Sequence, residues 1–296
     1  MSEIRLALVN GTGPPDPEYD AVMKPSFCSQ LGEQLGAKSF YLRGPSYFGT
    51  EVREEARAVY RWLKAAHDED PTRRLMLAGY SRGGSAAIMA CEMLERDRVP
   101  VDSLFLFDAV ARHEYPGGNV IPANVRFSRH ARRSLAADFV ERYEGTVKGI
   151  HLIGGFTNPA RPMFGNVGLH WRGDGDHQPA ERFLGSHGAL GGVGWRIVVE
   201  DAACERDVAA WMNGHLTARG VDVALTPYQP TGDAVRVTHP SHFEKWLTHN
   251  IYQFVLHHDE PHLSHIGPYP DPGVPQQSDA ARDASVMLRG SGGAAS

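Results

Sequence analysis

The chain has few cysteines, and none is spaced for a shared structural role. Its 296 residues contain three, Cys28, Cys91 and Cys204, which are widely separated and form no Cys-x-x-Cys pattern. An odd, scattered set predicts neither a disulfide framework nor a structural zinc site. The sequence therefore fits a reducing compartment, and its length is sufficient for a sizeable core.

Long apolar runs are also absent. No stretch approaches the roughly 18 apolar residues needed to cross a bilayer. The N-terminal residues enter a short β-rich run at Ile4 with no apolar signal segment before it. We expect a soluble protein that is cytoplasmic, or exported without a cleaved signal peptide, with at most transient contact with a membrane surface.

The sequence also lacks a cluster of basic residues. The formal net charge is -5, and the lysines and arginines are scattered along the chain. This pattern argues against a nucleic-acid partner and favours a small-molecule or lipid substrate. Nothing in the sequence indicates a cofactor, and the oligomeric state is left open.

The most informative segment is Gly-Tyr-Ser-Arg-Gly at positions 79–83. A strand-like run precedes it from Leu75, and an Ala-rich stretch of helical composition follows from Ser85. A serine nucleophile projects from a tight strand-to-helix turn, with glycines leaving room for the crossing backbone. The pattern predicts a nucleophile elbow with Ser81 as nucleophile. The alternative is a serine that only closes a buried turn.

Strand and helix patterns alternate along the first 110 residues. Strands are predicted at 4–9, 37–42, 75–78 and 103–107, and helices at 27–35, 50–67 and 85–94. Alternation predicts an α/β fold with a mostly parallel central sheet and helices on both faces. Residues 1–260 are expected to form a single domain with an irregular excursion over 111–183, which includes a helix near 132–143. Residues 261–296 are rich in Pro, Gly and Ser and are expected to be mostly disordered.

Candidate acids follow the predicted elbow. Asp108 ends the strand after the elbow helix, at the sheet edge that Ser81 occupies. The chain order of nucleophile, acid and histidine favours Asp108. The alternative is a carboxylate that only caps a loop through local hydrogen bonds. Asp174 and Asp176 are alternative acids. With His177 they are also compatible with a small cation site, but a solvated turn is the favoured interpretation and no metal is predicted.

Fifteen histidines make the general base harder to choose. His239 is favoured because it lies late in the chain, after a predicted strand at 234–237 and in a turn set by Pro240. His187 ranks second, since it lies in a glycine-rich segment that is expected to approach the pocket. The oxyanion hole is expected to use the backbone N–H of Arg82 and one from the loop with Gly11 and Thr12, with the Thr12 hydroxyl as a helper.

Six separated segments resemble motifs of one known family. They are Val-Asn-Gly-Thr-Gly at 9–13, the elbow at 79–83, Leu-Phe-Asp-Ala-Val at 106–110, the segment 183–192, Ala-Trp-Met at 210–212 and Thr-His-Pro-Ser at 238–241. Their order and spacing resemble an α/β-hydrolase domain family that includes bacterial type VI secretion phospholipase (lipase) effectors. The resemblance covers roughly residues 4–245 and implies an α/β-hydrolase-like fold acting on lipid or phospholipid esters.

Two positions depart from that family. Its opening aspartate is Asn10 here, and the aspartate of its His-Ser-Asp segment is Ala189. If the second carboxylate orients the histidine in the relatives, this chain must take its acid from elsewhere. The elbow and its candidate partners predict a serine esterase acting through an acyl-enzyme, and the resemblance implies the lipase or phospholipase type. The alternatives are a catalytically impaired binding module and a peptidase or amidase on the same scaffold.

Overall fold

The computed structural model describes residues 2–13, 18–45, 50–111, 117–133, 167–183, 187–193 and 201–228. The strands within these ranges are β1 (Ile4–Val9), β2 (Ser39–Leu42), β3 (Arg74–Tyr80), β4 (Ser103–Phe107), β5 (Val120–Ile121), β6 (Phe127–Arg133), β7 (His170–Trp171), β8 (Asp176–His177) and β9 (Glu181–Phe183). The α-helices are α1 (Glu18–Met23), α2 (Phe27–Leu35), α3 (Val52–Glu69), α4 (Arg82–Arg96), α5 (His187–Leu190) and α6 (Asp201–Ala218).

Within the described ranges, seven parallel strands form the central sheet. Their order is β2-β1-β3-β4-β6-β8, and β9 pairs with β6 further along that strand. Val9 lies opposite Gly79, and Tyr80 lies opposite Phe107. Because these strands run in the same direction, the residues that follow them meet at one sheet edge. The register therefore brings Asn10, Ser81 and Asp108 together.

Hydrophobic side chains alternate between the two faces of the sheet. Leu6 and Leu8 of β1 contribute to one core cluster, whereas Ala7 and Val9 contribute to the other. The first cluster includes side chains of α1, α2, α5 and α6, and the second includes side chains of α3 and α4. The period-two pattern thus builds a core on each face and confirms the predicted arrangement of helices on both sides.

The segment predicted to be an irregular excursion contains a central strand. β6 covers Phe127–Arg133 and pairs in parallel with β4. It includes the buried polar residues Ser128, Arg129, His130 and Arg132. The expected helix near 132–143 is wrong at its start, since Arg132 and Arg133 end this strand. Sequence periodicity missed the strand because its interior positions are polar rather than apolar.

Hydrogen bonds explain how β6 tolerates that composition. Arg129 donates to the backbone carbonyl of Ser128 and to the Asp176 carboxylate, and Arg132 donates to the Val167 carbonyl. Buried polar groups are tolerated when such partners are present.

Several sequence predictions lie outside the described residues. They are His239, the strand at 234–237, the proposed tail at 261–296 and most of the predicted helix at 132–143. The single domain over residues 1–260 stays a prediction. Within the described part of the chain, no helix is both long enough and apolar enough to cross a membrane.

Candidate active site

Ser81 lies in the turn between β3 and α4. Its backbone angles are φ 57° and ψ -131°, a combination that side-chain-bearing residues rarely adopt. A Cβ on Gly79 would lie 2.5 Å from the Gly83 carbonyl oxygen, and one on Gly83 would collide with the carbonyl oxygens of Val9 and Asn10. The two glycines therefore permit the close crossing that the turn requires. This geometry confirms the predicted strand–serine–helix elbow.

Asp108 follows β4 and lies next to the elbow. The Ser81 amide donates to the Phe107 carbonyl over 3.1 Å, and the Val110 amide donates to the Ser81 carbonyl over 3.0 Å. Asp108 also has a positive φ, 41°, and its amide donates to the Ala131 carbonyl over 2.7 Å. Backbone bonds to the elbow and to β6 thus hold a fully buried carboxylate beside the serine.

His187 bridges the serine and the carboxylate. Ser81 Oγ donates to His187 Nε2 over 2.9 Å, and His187 Nδ1 donates to Asp108 Oδ2 over 2.7 Å. The bond to the carboxylate places a proton on Nδ1 and leaves the Nε2 lone pair facing the hydroxyl. The three side chains have the connectivity of a Ser-His-Asp triad.

The histidine in this position is the one that the sequence ranked second. His239, which was preferred, lies outside the described residues, and the structure brings His187 to Ser81 instead. The preference for His239 rests on its late position, on the predicted strand at 234–237 and on the turn set by Pro240, and His187 also follows Ser81 and Asp108 in the chain. The useful signal was the glycine-rich segment after His187, because Gly191 and Gly192 form the turn that follows α5.

The alternative acids lie elsewhere. Asp176 Oδ1 accepts from Arg129 over 3.0 Å, and His177 Nδ1 bonds the Ser128 hydroxyl over 2.7 Å. Asp174 is exposed. In the ranges that the structure describes, no three acidic, histidine or cysteine side chains form a group suited to a metal ion. The geometry thus brings Asp108, rather than Asp174 or Asp176, to the histidine.

Ala189, two residues after His187, is part of the hydrophobic core. Its side chain is fully buried in the core, with Leu190 and Val193 in the same cluster. The carboxylate that contacts His187 instead comes from the end of β4. The alanine at position 189 therefore leaves the arrangement of Ser81, His187 and Asp108 complete.

The loop after β1 lies against the elbow. Its Gly11 amide donates to Asn10 Oδ1 over 2.8 Å, while Asn10 Nδ2 lies within hydrogen-bond distance of the hydroxyls of Ser26, Ser29 and Tyr41. Asn10 therefore fixes the start of the loop without a charge.

The Arg82 guanidinium connects the elbow helix to the same loop. Its Nη1 donates to Thr12 Oγ1 over 2.7 Å. The Arg82 amide is in the first turn of α4, where the helix dipole favours negative charge. The two expected contributors to an oxyanion hole are thus joined by a side-chain hydrogen bond.

The elbow, the parallel sheet and the strand-end carboxylate together define the architecture. The fold is α/β-hydrolase-like. Similar solved structures include the thioesterase RedJ from the prodiginine biosynthetic pathway in Streptomyces coelicolor, which is 13% identical with a TM-score of 0.32, covering 70% of this chain and 86% of that chain.

Two further solved structures are similar over shorter stretches of this chain. A cutinase-like protein from Cryptococcus sp. is 19% identical with a TM-score of 0.23, and the match covers 34% of this chain and only 52% of that one. An acetylxylan esterase is 12% identical with a TM-score of 0.24, and the match covers 43% of this chain and 81% of that one. No protein-family model and no curated protein matches the sequence.

His130 is a supporting residue of this α/β-hydrolase-like site that the sequence did not indicate. Its Nε2 accepts from the Ala109 amide over 3.0 Å, and its Nδ1 lies 3.3 Å from the Gly168 carbonyl oxygen. Burial lowers the pKa of His130 to about 3, so the ring stays neutral and retains its acceptor nitrogen. His130 therefore anchors the residue next to Asp108. No motif marked it, because its role depends on contacts made across the sheet.

A largely buried carboxyl group of α3 interacts with the Arg82 charge. Glu55 of α3 has one oxygen, Oε2, buried with no hydrogen-bond partner among the described residues. The pKa of Glu55 is raised to about 9, mainly by burial and also by neighbouring Glu51, with the Arg82 charge acting in the opposite direction. Glu55 is therefore neutral at physiological pH.

Proposed function

We propose that this protein is a serine hydrolase that cleaves carboxylic esters through an acyl-enzyme intermediate. The observation that carries the proposal is the hydrogen-bonded series from Ser81 Oγ to His187 Nε2 and from His187 Nδ1 to Asp108 Oδ2. A serine hydroxyl is a weak nucleophile at neutral pH and needs an adjacent base that is itself oriented by a third group. These three side chains meet that requirement.

The first chemical step is acylation. Ser81 Oγ attacks the ester carbonyl carbon while its proton passes to His187 Nε2, and the carbonyl π electrons move to oxygen. The resulting imidazolium is stabilised by the Asp108 carboxylate, which remains ionised. When the tetrahedral intermediate collapses, His187 returns the proton to the leaving alkoxide and an alcohol departs.

The oxyanion is stabilised by backbone donors on both sides of the elbow. We assign the Arg82 amide and the Thr12 amide to this role. The Gly11 amide, also expected there, donates to Asn10 Oδ1 in this structure and is less suited to the role. The Arg82 side chain holds Thr12 toward the elbow, which keeps the two donors in a fixed arrangement before substrate binds.

Deacylation repeats the chemistry with water. His187 removes a proton from a water molecule, whose oxygen attacks the acyl carbon, and the proton then returns to Ser81 as the carboxylic acid is released. Every proton movement uses Nε2. Nδ1 stays bonded to Asp108 throughout.

The resemblance to type VI secretion phospholipase effectors supports lipid or phospholipid esters as the substrate class. The Ser-His-Asp geometry by itself supports any activated acyl group. A peptidase or amidase on this scaffold would use the same three residues, so matched ester and amide substrates separate these activities.

Labelling with a fluorophosphonate probe tests the proposal. The unmutated protein should be labelled and should hydrolyse a short p-nitrophenyl ester, and Ser81→Ala should lose both. Ser39→Ala, which removes a hydroxyl from β2 at the edge of the sheet, is the matched control and should behave like the unmutated protein. Absence of labelling in the unmutated protein would favour a non-catalytic binding module.

A second pair of variants tests the assignment of the base. His187→Ala should lose ester hydrolysis, whereas His239→Ala should retain it. The reverse result would return the role to His239 and overturn the assignment made from the geometry.

A further inference from the structure

Tyr80 directly precedes Ser81, and its side chain packs against His187. Its side chain is buried, with 2% of the residue exposed. A buried tyrosine hydroxyl needs a hydrogen-bond partner, and Tyr80 finds one outside its own strand. The hydroxyl donates to the backbone carbonyl of His187 over 3.0 Å.

The aromatic ring makes a second contact with the same histidine. The centroids of the Tyr80 and His187 rings are 5.0 Å apart, with the planes inclined by 33°. His187 is thus held by Tyr80 at its backbone and along its ring, in addition to its bonds with Asp108 and Ser81.

Two glycine-containing segments lie directly against the Tyr80 ring. A Cβ on Gly11 would lie 2.5 Å from Cε1 of that ring, and one on Gly191 would lie 2.5 Å from Cε2. Gly11 belongs to the loop that supplies the proposed oxyanion donor, and Gly191 follows α5. Tyr80 therefore fills the space between these segments and links both to the elbow.

We propose that Tyr80 is a positioning residue that keeps the His187 imidazole aligned with Ser81 through both acylation and deacylation. This inference rests on the proposed function. Alignment of the ring requires a fixed backbone at His187, which is the first described residue of α5. The hydroxyl bond to the His187 carbonyl supplies that constraint, and small misplacements of a catalytic group are costly.

The test is Tyr80→Phe, which removes one oxygen atom and retains the ring between Gly11 and Gly191. We expect kcat for a p-nitrophenyl ester to fall about tenfold with KM little changed, because alignment affects the transition state more than ground-state binding. The rate of fluorophosphonate labelling should fall in parallel. Tyr60→Phe is the matched control, since it removes a hydroxyl that bonds Asp97 on the surface, and its kinetics should match those of the unmutated protein.

A double-mutant comparison separates positioning from a general structural role. In the His187→Ala background, Tyr80→Phe should cause no further loss of residual activity, because Tyr80 acts through the imidazole. A further loss similar to that of the single variant would show that Tyr80 supports the elbow or the oxyanion loop instead, and would overturn the proposal.

The labelling experiment also distinguishes the two proposals. If the unmutated protein is labelled at Ser81 and Tyr80→Phe is labelled equally fast, only the role of Tyr80 is wrong. If the unmutated protein is not labelled, the serine hydrolase proposal fails and the role of Tyr80 fails with it.

Discussion

His187 Nδ1 donates to Asp108 Oδ2 over 2.7 Å, although the two residues are 79 positions apart in the chain. The Asp108 side chain is fully buried, whereas 16% of the His187 side chain is exposed. The carboxylate is therefore shielded from water while the imidazole faces the place where substrate would bind. Such burial strengthens the bond and fixes the histidine tautomer.

The bond between His187 and Asp108 predicts a loss of catalytic rate in Asp108→Asn. We expect kcat to fall by about 10³ to 10⁴, because an amide can stabilise the wrong histidine tautomer and cannot balance the imidazolium charge. Steady-state kinetics with a p-nitrophenyl ester measure this loss. Asp174→Asn is the matched control and should retain full activity. Activity retained in Asp108→Asn and lost in Asp176→Asn would contradict the assignment of the acid.

The Arg82–Thr12 bond predicts that the Thr12 hydroxyl supports turnover. Thr12→Val keeps the size of the side chain but leaves the Arg82 guanidinium without this acceptor. We expect kcat to fall about tenfold, less than the hundredfold or more that follows loss of a direct oxyanion donor. Thr12→Ser retains the hydroxyl and should restore most of the rate. Equal kinetics for Thr12→Val and the unmutated protein would show that the bond does not order the loop.

The lowered pKa of His130 predicts that the folded protein loses stability in acid. Its folded-state pKa, about 3, lies below the ordinary value of 6.5, so the unfolded chain binds the extra proton between these limits. The free energy of unfolding should fall as pH drops from about 6.5 toward 3. His130→Gln keeps an acceptor for the Ala109 amide and removes this titration. Urea unfolding at several pH values should show a weaker acid dependence in the variant, and identical slopes would refute the prediction.

The raised pKa of Glu55 predicts the opposite dependence of stability on pH. Its folded-state pKa, about 9, lies above the ordinary value of 4.5, so the folded chain holds the extra proton between these limits. Its contribution to stability is therefore fully present below about 4.5 and is lost as pH rises through 9. Glu55→Gln keeps the shape and removes the titration. Thermal unfolding should show a gain in Tm for the variant at alkaline pH and a smaller one in acid. A gain of equal size at both would contradict the assigned titration.

Local patterns predicted the elements that place the nucleophile and the acid. The sequence predicted β3, Ser81 and α4 because a strand pattern, a glycine-flanked serine and a helix pattern follow one another without interruption. The sequence also indicated Asp108, because the apolar run of β4 ends directly before it. The sequence did not predict β6, because the hydrogen-bond partners of its buried Arg and His side chains lie far away in the chain.

The sequence by itself determined the parallel alternation of strands and helices, the elbow at Ser81 and the candidate acid at Asp108. These follow from interactions within short segments, namely periodic burial and the steric need for glycine at a tight crossing. Only the tertiary structure decided which histidine meets the serine and which carboxylate orients it. His187 bonds Ser81 across 106 positions of the chain, and its backbone carbonyl accepts from Tyr80; contacts between such distant segments leave no periodic pattern in the sequence.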